Sequence, residues 1–163
     1  MKRVIIVRHA KAVPYGYDDD FRRDLTERGI SDAHKISNIL KQRGIFADGA
    51  IASPATRTMH TATIFCKNLG FPPENIRQEE ILYHGLTTQD FIALLHELPE
   101  SMQTVFVFGH NPTVYYLVNN LANYFNAEMP TCSTFAIDFD TANWTEISAR
   151  KGIDAFHYIP KEK

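Results

Sequence analysis

Val4-Ile5-Ile6-Val7-Arg8-His9 decides the reading: an unbroken apolar run leads straight into a cation and an imidazole. A short continuous apolar segment of this kind is a strand buried on both faces, as in a parallel sheet. Two further stretches end the same way. Ile51-Ala52-Ser53-Pro54 leads to Arg57, and Val105-Phe106-Val107-Phe108-Gly109 leads to His110. Ligands bind at the carboxyl ends of the strands in an open α/β sheet. The three junctions therefore place Arg8, His9, Arg57 and His110 on one sheet edge. Such a set of cations and imidazoles suits a dianion, and a phosphoryl group is the common biological one.

Working outward, strands and helices alternate. After the strand at 3–8 comes a loop of about 17 residues with Pro14, Gly16 and Asp18-Asp19-Asp20, long enough to be functional or disordered. Thr26 is placed to cap a helix reaching Arg43, with Ile30, Ala33, Ile36 or Ser37, and Leu40 inward and Gly44 ending it. A strand at 49–53 follows, then a helix with Ser53 as cap and Pro54 in its first position. Its inner stripe is Ala55, Met59, Ala62, Cys66 and Leu69, and Gly70 stops it. An extended piece near 76–80, a helix at 88–98 and a strand at 104–109 come next. The following helix carries the stripe Val114, Leu117, Val118, Leu121, Ala122 and Phe125. Residues 133–139 and 144–150 alternate with a period of two and read as an antiparallel hairpin joined across Asp140–Asn143. The expected fold is three-layer α/β: a mainly parallel central sheet, helices on both faces and a C-terminal hairpin, in one domain spanning residues 1–163.

Composition limits the function. The chain has 163 residues, 44% of them hydrophobic, and a net charge of −2 from 17 basic and 19 acidic side chains. A general attraction to nucleic acid or to an anionic membrane is not expected, so anion binding must come from local arrangement. No apolar run approaches the ~20 residues that span a bilayer. The start, Met1-Lys2-Arg3 followed by a four-residue apolar run, lacks a signal-peptide core. Cys66 and Cys132 have no CxxC spacing and read as reduced thiols, which points to the cytoplasm. There is no HExxH, HxH or cysteine pair, so neither a metal nor another cofactor is expected.

The chemistry follows from residue type. Arginine presents a planar, permanently charged fork that matches phosphate oxygens. A neutral imidazole attacks phosphorus readily and leaves again easily. Arg57 in the first turn of its helix sits where free N–H groups already favour an anion. His110, between Gly109 and Asn111-Pro112, stands at another helix start. His34 and His96 read as solvated helix positions, His60 as a surface residue, and His157 as part of the tail.

The order and wording of these motifs resemble the histidine phosphatase superfamily. Arg8-His9-Ala10 matches its Arg-His-Gly-like signature, with alanine in place of the more usual glycine. Ser53-Pro54-Ala55-Thr56-Arg57 with Thr61-Ala62 matches its second motif, and Gly109-His110-Asn111-Pro112 its third. The chain is most similar to the small SixA-type phosphohistidine phosphatases, which carry an Arg-x-Leu-Thr-x-x-Gly segment, here Arg23-Asp24-Leu25-Thr26-Glu27-Arg28-Gly29. The resemblance implies that His9 is the nucleophile and that Arg8, Arg57 and His110 bind phosphoryl oxygens. It also brings Asp20 and Arg23 near the site, and these are placed with Asn111 as substrate-binding residues. His110 is expected to be protonated, wholly or in part, beside the dianion, whereas the nucleophile must be neutral.

The implied activity is hydrolysis through a covalent phosphohistidine, acting on phosphohistidine in a protein. A histidine-containing phosphotransfer domain is the partner the resemblance suggests. The alternatives are a phosphatase of sugar phosphates or nucleotides and a non-catalytic phosphate-binding module. Gln78-Glu79-Glu80-Ile81-Leu82-Tyr83-His84-Gly85 does not match the carboxylate motif of the mutases, which leaves Glu80 and His84 open as proton donors. Only 52 residues separate Arg57 from His110, too few for a large lid over the site, so an open, shallow site is expected.

Overall fold

A computed structural model describes residues 1–16, 19–123 and 128–161. One six-stranded sheet runs in the order β3-β2-β4-β1-β5-β6. Its strands are β1 (Lys2–Arg8), β2 (Gly49–Ala52), β3 (Arg77–Gln78), β4 (Thr104–Gly109), β5 (Thr134–Phe139) and β6 (Ile153–Tyr158). The pairs β1–β4, β2–β4 and β2–β3 are parallel, while β5 pairs antiparallel with both β1 and β6. The helices are α1 (Glu27–Gln42), α2 (Thr56–Asn68), α3 (Ile81–His84), α4 (Thr88–His96) and α5 (Thr113–Leu121). None of the described helices is long and apolar enough to cross a membrane.

The apolar run that opened the reading lies at the centre of the sheet. Val4, Ile5, Ile6 and Val7 are all 0% exposed, and burying each side chain stabilises the fold by roughly 1.5–3 kcal/mol. Alternation sends them to opposite layers. Ile5 and Val7 join Phe106 and Phe108 beneath Ala33, Ile36 and Leu40 of α1 and Ala62 and Phe65 of α2. Val4 and Ile6 join Val105 and Val107 beneath Phe91 and Leu95 of α4 and Val114 and Leu117 of α5. The chain leaving β1 therefore goes to one face, and the chain leaving the adjacent β4 goes to the other. A crevice opens between their carboxyl ends, at the topological switch point of the sheet.

Four boundaries differ from the sequence-based expectation. The hairpin partner of β5 is 153–158, not 144–150. The period-two pattern at 144–150 misleads because Trp144–Glu146 is a 3₁₀ turn that buries both Trp144 and Ile147. Trp144 is anchored by its indole N–H to the Met102 carbonyl at 2.9 Å. Helix α2 begins at Thr56 with no side-chain cap, rather than with Ser53 capping and Pro54 leading; the Ser53 hydroxyl is instead engaged by a histidine, described below. The helix expected at 88–98 ends at His96, whose Nε2 lies 2.9 Å from the Ile147 carbonyl and so is not simply solvated. Helix α5 ends at Leu121 with Ala122 extended, short of the expected stripe through Ala122 and Phe125; Phe125 itself lies outside the described residues, as does Asp18 in the loop after β1.

That loop is tied down at its far end. Ala12 and Leu25 form an isolated bridge, and Asp20–Arg22 make a 3₁₀ turn capped by the Asp19 side chain. Thr26 caps α1 as expected, accepting from Gly29 N at 3.0 Å. Its backbone N–H and hydroxyl both donate to the Lys11 carbonyl, at 2.9 and 3.2 Å. The start of α1 is thereby pinned to the turn just past His9. Gly29 is required by this contact, since a Cβ there would collide with the Lys11 backbone carbonyl.

Gly29→Ala normally favours a helix by up to ~1 kcal/mol. Here the obstructing atom is backbone and cannot swing aside, so we expect a net loss of about 2 kcal/mol in urea unfolding. A stabilised variant would contradict the collision.

Candidate active site

The site is built from the strand register. Arg8 pairs with Gly109 across β1 and β4, so the next residue on each strand, His9 and His110, leaves the sheet at the same level. The His9 backbone is held from both sides: its N–H donates to the Gly109 carbonyl at 3.0 Å, and its carbonyl accepts from Cys132 N at 3.0 Å. The two imidazoles stand with ring centroids 5.3 Å apart. On the other flank of β4, Ser53 N donates to the Phe108 carbonyl at 3.1 Å. That brings the Ser53 hydroxyl within 2.8 Å of His110 Nε2. Thr61, fully buried on α2, completes the frame: its hydroxyl accepts from Ala10 N at 3.0 Å and donates to the Arg57 carbonyl at 2.8 Å.

Hydrogen bonding fixes which nitrogen of His9 is available. Its Nδ1 lies 2.8 Å from the Ala10 carbonyl. A carbonyl only accepts, so Nδ1 carries the hydrogen and Nε2 keeps its lone pair. Burial drives the His9 pKa down to about 4, outweighing the support that the Ala10 carbonyl gives the cation, with Arg57, Arg8 and Arg23 lowering it further. The ring is therefore neutral at physiological pH. His110 goes the same way, to about 3, first through burial and then through His9 and Arg57, against a smaller opposing effect of Asp20. Burial and the neighbouring cations thus work against the proton that His110 is expected to carry beside a dianion. A neutral ring still donates: where the Ser53 hydroxyl donates to Nε2, the hydrogen of His110 resides on the unmatched Nδ1.

The arginines are held on one side and open on another. Arg57 is 5% exposed, donating from Nη1 to the Asp20 carbonyl at 2.7 Å and from Nη2 to Asp20 Oδ2 at 3.2 Å. Arg8 donates from Nη1 to the Met129 carbonyl at 3.1 Å, and burial lowers its pKa. Among the described residues, the buried side-chain nitrogens and oxygens with no hydrogen-bond partner are Arg8 Nε, Arg57 Nε and His110 Nδ1. Buried polar groups are rarely left unmatched. That all three belong to one cluster points to an anion held among them. Arg8, His9, Arg57 and His110 line one cavity of about 340 Å³ together with Arg23, Asn111, Lys11, Thr131 and the backbone turn 12–14.

The substrate-binding candidates separate. Arg23 and Asn111 line the cavity. Asp20 does not: its carboxylate receives Arg23 at 2.8 Å, Arg57 at 3.2 Å and the Tyr83 hydroxyl at 2.7 Å. Burial works to raise the Asp20 pKa but is overcome by Tyr83, Arg23 and Arg57, which hold it at about 2. Asp20 is thus a fixed anion that orients two arginines. Tyr83 escaped the sequence reading because α3, at four residues, is too short to show a periodicity; its ring lies 5.6 Å from His110 and its hydroxyl closes the Asp20 network. Glu80 and His84, the open proton-donor candidates, are both exposed and do not line the cavity. His60 pairs with Asp24 at 2.8 Å, away from the cavity. Among the described residues no group of three His, Cys, Asp or Glu side chains is arranged to hold a metal ion.

Buried arginine and histidine nitrogens at the carboxyl edge of a mainly parallel sheet define a protein equipped to hold a compact anion. The family model of the histidine phosphatase superfamily (branch 1) matches residues 4–104, and the chain belongs to that superfamily. It is 30% identical over 102 residues to the mitochondrial serine/threonine-protein phosphatase Pgam5 of Drosophila ananassae, covering 63% of this chain and 35% of that one. It is 33% identical over 85 residues to the 2,3-bisphosphoglycerate-dependent phosphoglycerate mutase of Beijerinckia indica, covering 48% and 40%. The chain thus spans well under half the length of the curated relatives it matches. Among solved structures, SixA of Agrobacterium tumefaciens superposes with a TM-score of 0.80 at 22% identity, covering 98% of this chain and 99% of that one. The protein histidine phosphatase SixA complexed with tungstate gives 0.80 at 24% identity, covering 95% of each chain. A mycobacterial glucosyl-3-phosphoglycerate phosphatase gives 0.68 at 15% identity, covering 92% and 96%. These likenesses establish the shared fold.

The histidine shifts make a linked prediction. Above about pH 6.5 both rings are neutral folded or unfolded. Between there and about pH 4 the unfolded chain takes up protons that the folded chain refuses. Stability should therefore fall with acidification across that window, less steeply in His9→Asn. NMR should show His9 neutral at pH 5.5 with its hydrogen on Nδ1; a titration near 6.5 would contradict the burial argument.

Proposed function

We propose that this chain is a phosphatase that works through a covalent phosphohistidine on His9 and takes phosphohistidine in a protein as its substrate. The observation that carries the reading is the conjunction at one point: a neutral His9 with its Nε2 lone pair free, beside unmatched nitrogens of Arg8, Arg57 and His110. His9 Nε2 attacks phosphorus in line. The guanidinium groups and His110 Nδ1–H hold the equatorial oxygens as charge shifts, and Ala10 keeps the nucleophile's hydrogen on Nδ1. Water then attacks the phosphoryl group and releases phosphate, returning His9 to its neutral form.

Among the described residues, no carboxyl group lines the cavity to protonate a leaving group. An alkoxide needs a proton as it departs, yet Asp20 stays ionised down to about pH 2 and Glu80 is exposed outside the cavity. A phosphorylated imidazole carries its own proton on the ring and leaves neutral. The absence of residues 78–100 from the cavity wall agrees with an open approach for a protein side chain. Two buried free thiols, Cys66 and Cys132, support a reducing cytoplasmic setting.

The test is to incubate the protein with a phosphohistidine protein, a phosphotyrosine peptide and a panel of sugar phosphates. We expect phosphohistidine to turn over fastest, without loss on chelation. Rapid quenching should give an acid-labile, alkali-stable label on His9 that His9→Ala abolishes. Arg57→Ala should slow turnover by about 100- to 1000-fold, as for other preorganised donors to an anion. A label on His110, or preference for a sugar phosphate, would overturn the reading.

A further inference from the structure

A second cavity, of about 470 Å³, adjoins the first across a shared wall made by Arg8 and Asn111. The wall is rigid because the Met129 carbonyl receives both Arg8 Nη1 at 3.1 Å and Asn111 Nδ2 at 2.9 Å. Beyond it stand Tyr115, on the first turn of α5, and the segment Glu128-Met129-Pro130. None of His9, Arg57 and His110 lines this space.

We propose that this second cavity receives the leaving group, with Tyr115 packing against a flat ring and Glu128 selecting a ring that carries a proton. The proposal rests on the phosphatase reading above and adds to it the determinants of leaving-group specificity. Tyr115 is half-buried, and its ring lies 5.6 Å from that of Tyr116, which is 56% exposed. An aromatic ring at the cavity wall is a surface on which a planar leaving group can pack. Glu128 is exposed, and its carboxylate accepts an N–H but offers nothing to a departing anion. A phosphorylated imidazole protonated on its distal nitrogen presents that N–H. As the bond from phosphorus to the substrate nitrogen breaks, the electron pair stays on that nitrogen. The ring departs as neutral imidazole, still holding its distal proton. The new bond joins phosphorus to His9 Nε2, and His9 becomes the protonated phosphoimidazole, its Nδ1–H still donating to the Ala10 carbonyl. Donor and acceptor are then the same chemical group. An alkoxide or phenolate leaving against Glu128 would instead meet a like charge.

The experiment compares kcat/KM on three probes: a phosphohistidine peptide, phenyl phosphate and phosphoramidate, whose leaving group is ammonia. Tyr115→Ala should lower the ratio of each ring-bearing probe to phosphoramidate by about tenfold or more. Glu128→Gln, an exposed substitution that does not threaten folding, should lower the phosphohistidine-to-phenyl-phosphate ratio by about tenfold. Equal losses on all three probes, or unchanged ratios in both variants, would overturn the proposal. A wild-type protein that hydrolyses phenyl phosphate but not the phosphohistidine peptide overturns the substrate reading. The Tyr115→Ala ratio of phenyl phosphate to phosphoramidate then still decides whether the cavity holds the leaving group.

Discussion

The site depends on the parallel pairing of β1 with β4. Because Arg8 lies opposite Gly109, the residue beyond each strand end is a histidine, and the two rings meet without either strand bending. A slip of one residue in this pairing would turn every β1 side chain to the wrong layer. Val4 and Ile6 would then face the α1 and α2 layer and Ile5 and Val7 the other. The burial that selects the register is thus the same force that sets the distance between the catalytic candidates. Connectivity does the rest: the chain departs to opposite faces after β1 and β4, leaving a crevice that the intervening loops do not fill.

Placing two arginines and two histidines in such a crevice is an electrostatic problem, and the protein solves it unevenly. Both histidines give up their protons, as burial beside guanidinium groups demands. Arg57 donates to Asp20, which Arg23 and Tyr83 hold in place. Asp20 therefore neutralises from behind without entering the cavity, where it would repel a dianion. Arg8 has no carboxylate partner among the described residues and rests on a backbone carbonyl. The positive potential that remains is local, on a chain whose net charge is −2.

Much of this was legible in the amino-acid order, for a physical reason. Buried parallel strands are continuous apolar runs, and they end abruptly at a charge, so the three junctions could be seen without knowing how the strands pair. Thr26 and Gly44 marked the ends of α1 because caps and left-handed turns are local chemistry; Gly44 has φ of 76°. What could not be read were contacts made across the fold. Ser53 looks like a helix cap, and its hydroxyl is drawn to His110 only because β2 lies beside β4. Tyr83 carries no local signal, and its partner lies 63 positions away in sequence. Alternation at 144–150 was real, yet a 3₁₀ turn burying Trp144 and Ile147 mimics a strand over so short a stretch.

The unmatched nitrogens connect stability with chemistry. Arg8 Nε, Arg57 Nε and His110 Nδ1 are buried without partners, and each such group costs the free protein roughly 1–3 kcal/mol. Well-packed neighbours absorb that cost: Thr61 ties α2 to the turn after β1, and Thr26 ties α1 to the same turn. These links hold the donors in place before any anion arrives. Little reorganisation then remains for the reacting state, and that is where preorganised donors gain over water. Thr61 of the second motif and Thr26 of the Arg-x-Leu-Thr-x-x-Gly segment do not line the cavity. Their part in the chemistry is to keep an unfavourable arrangement from relaxing.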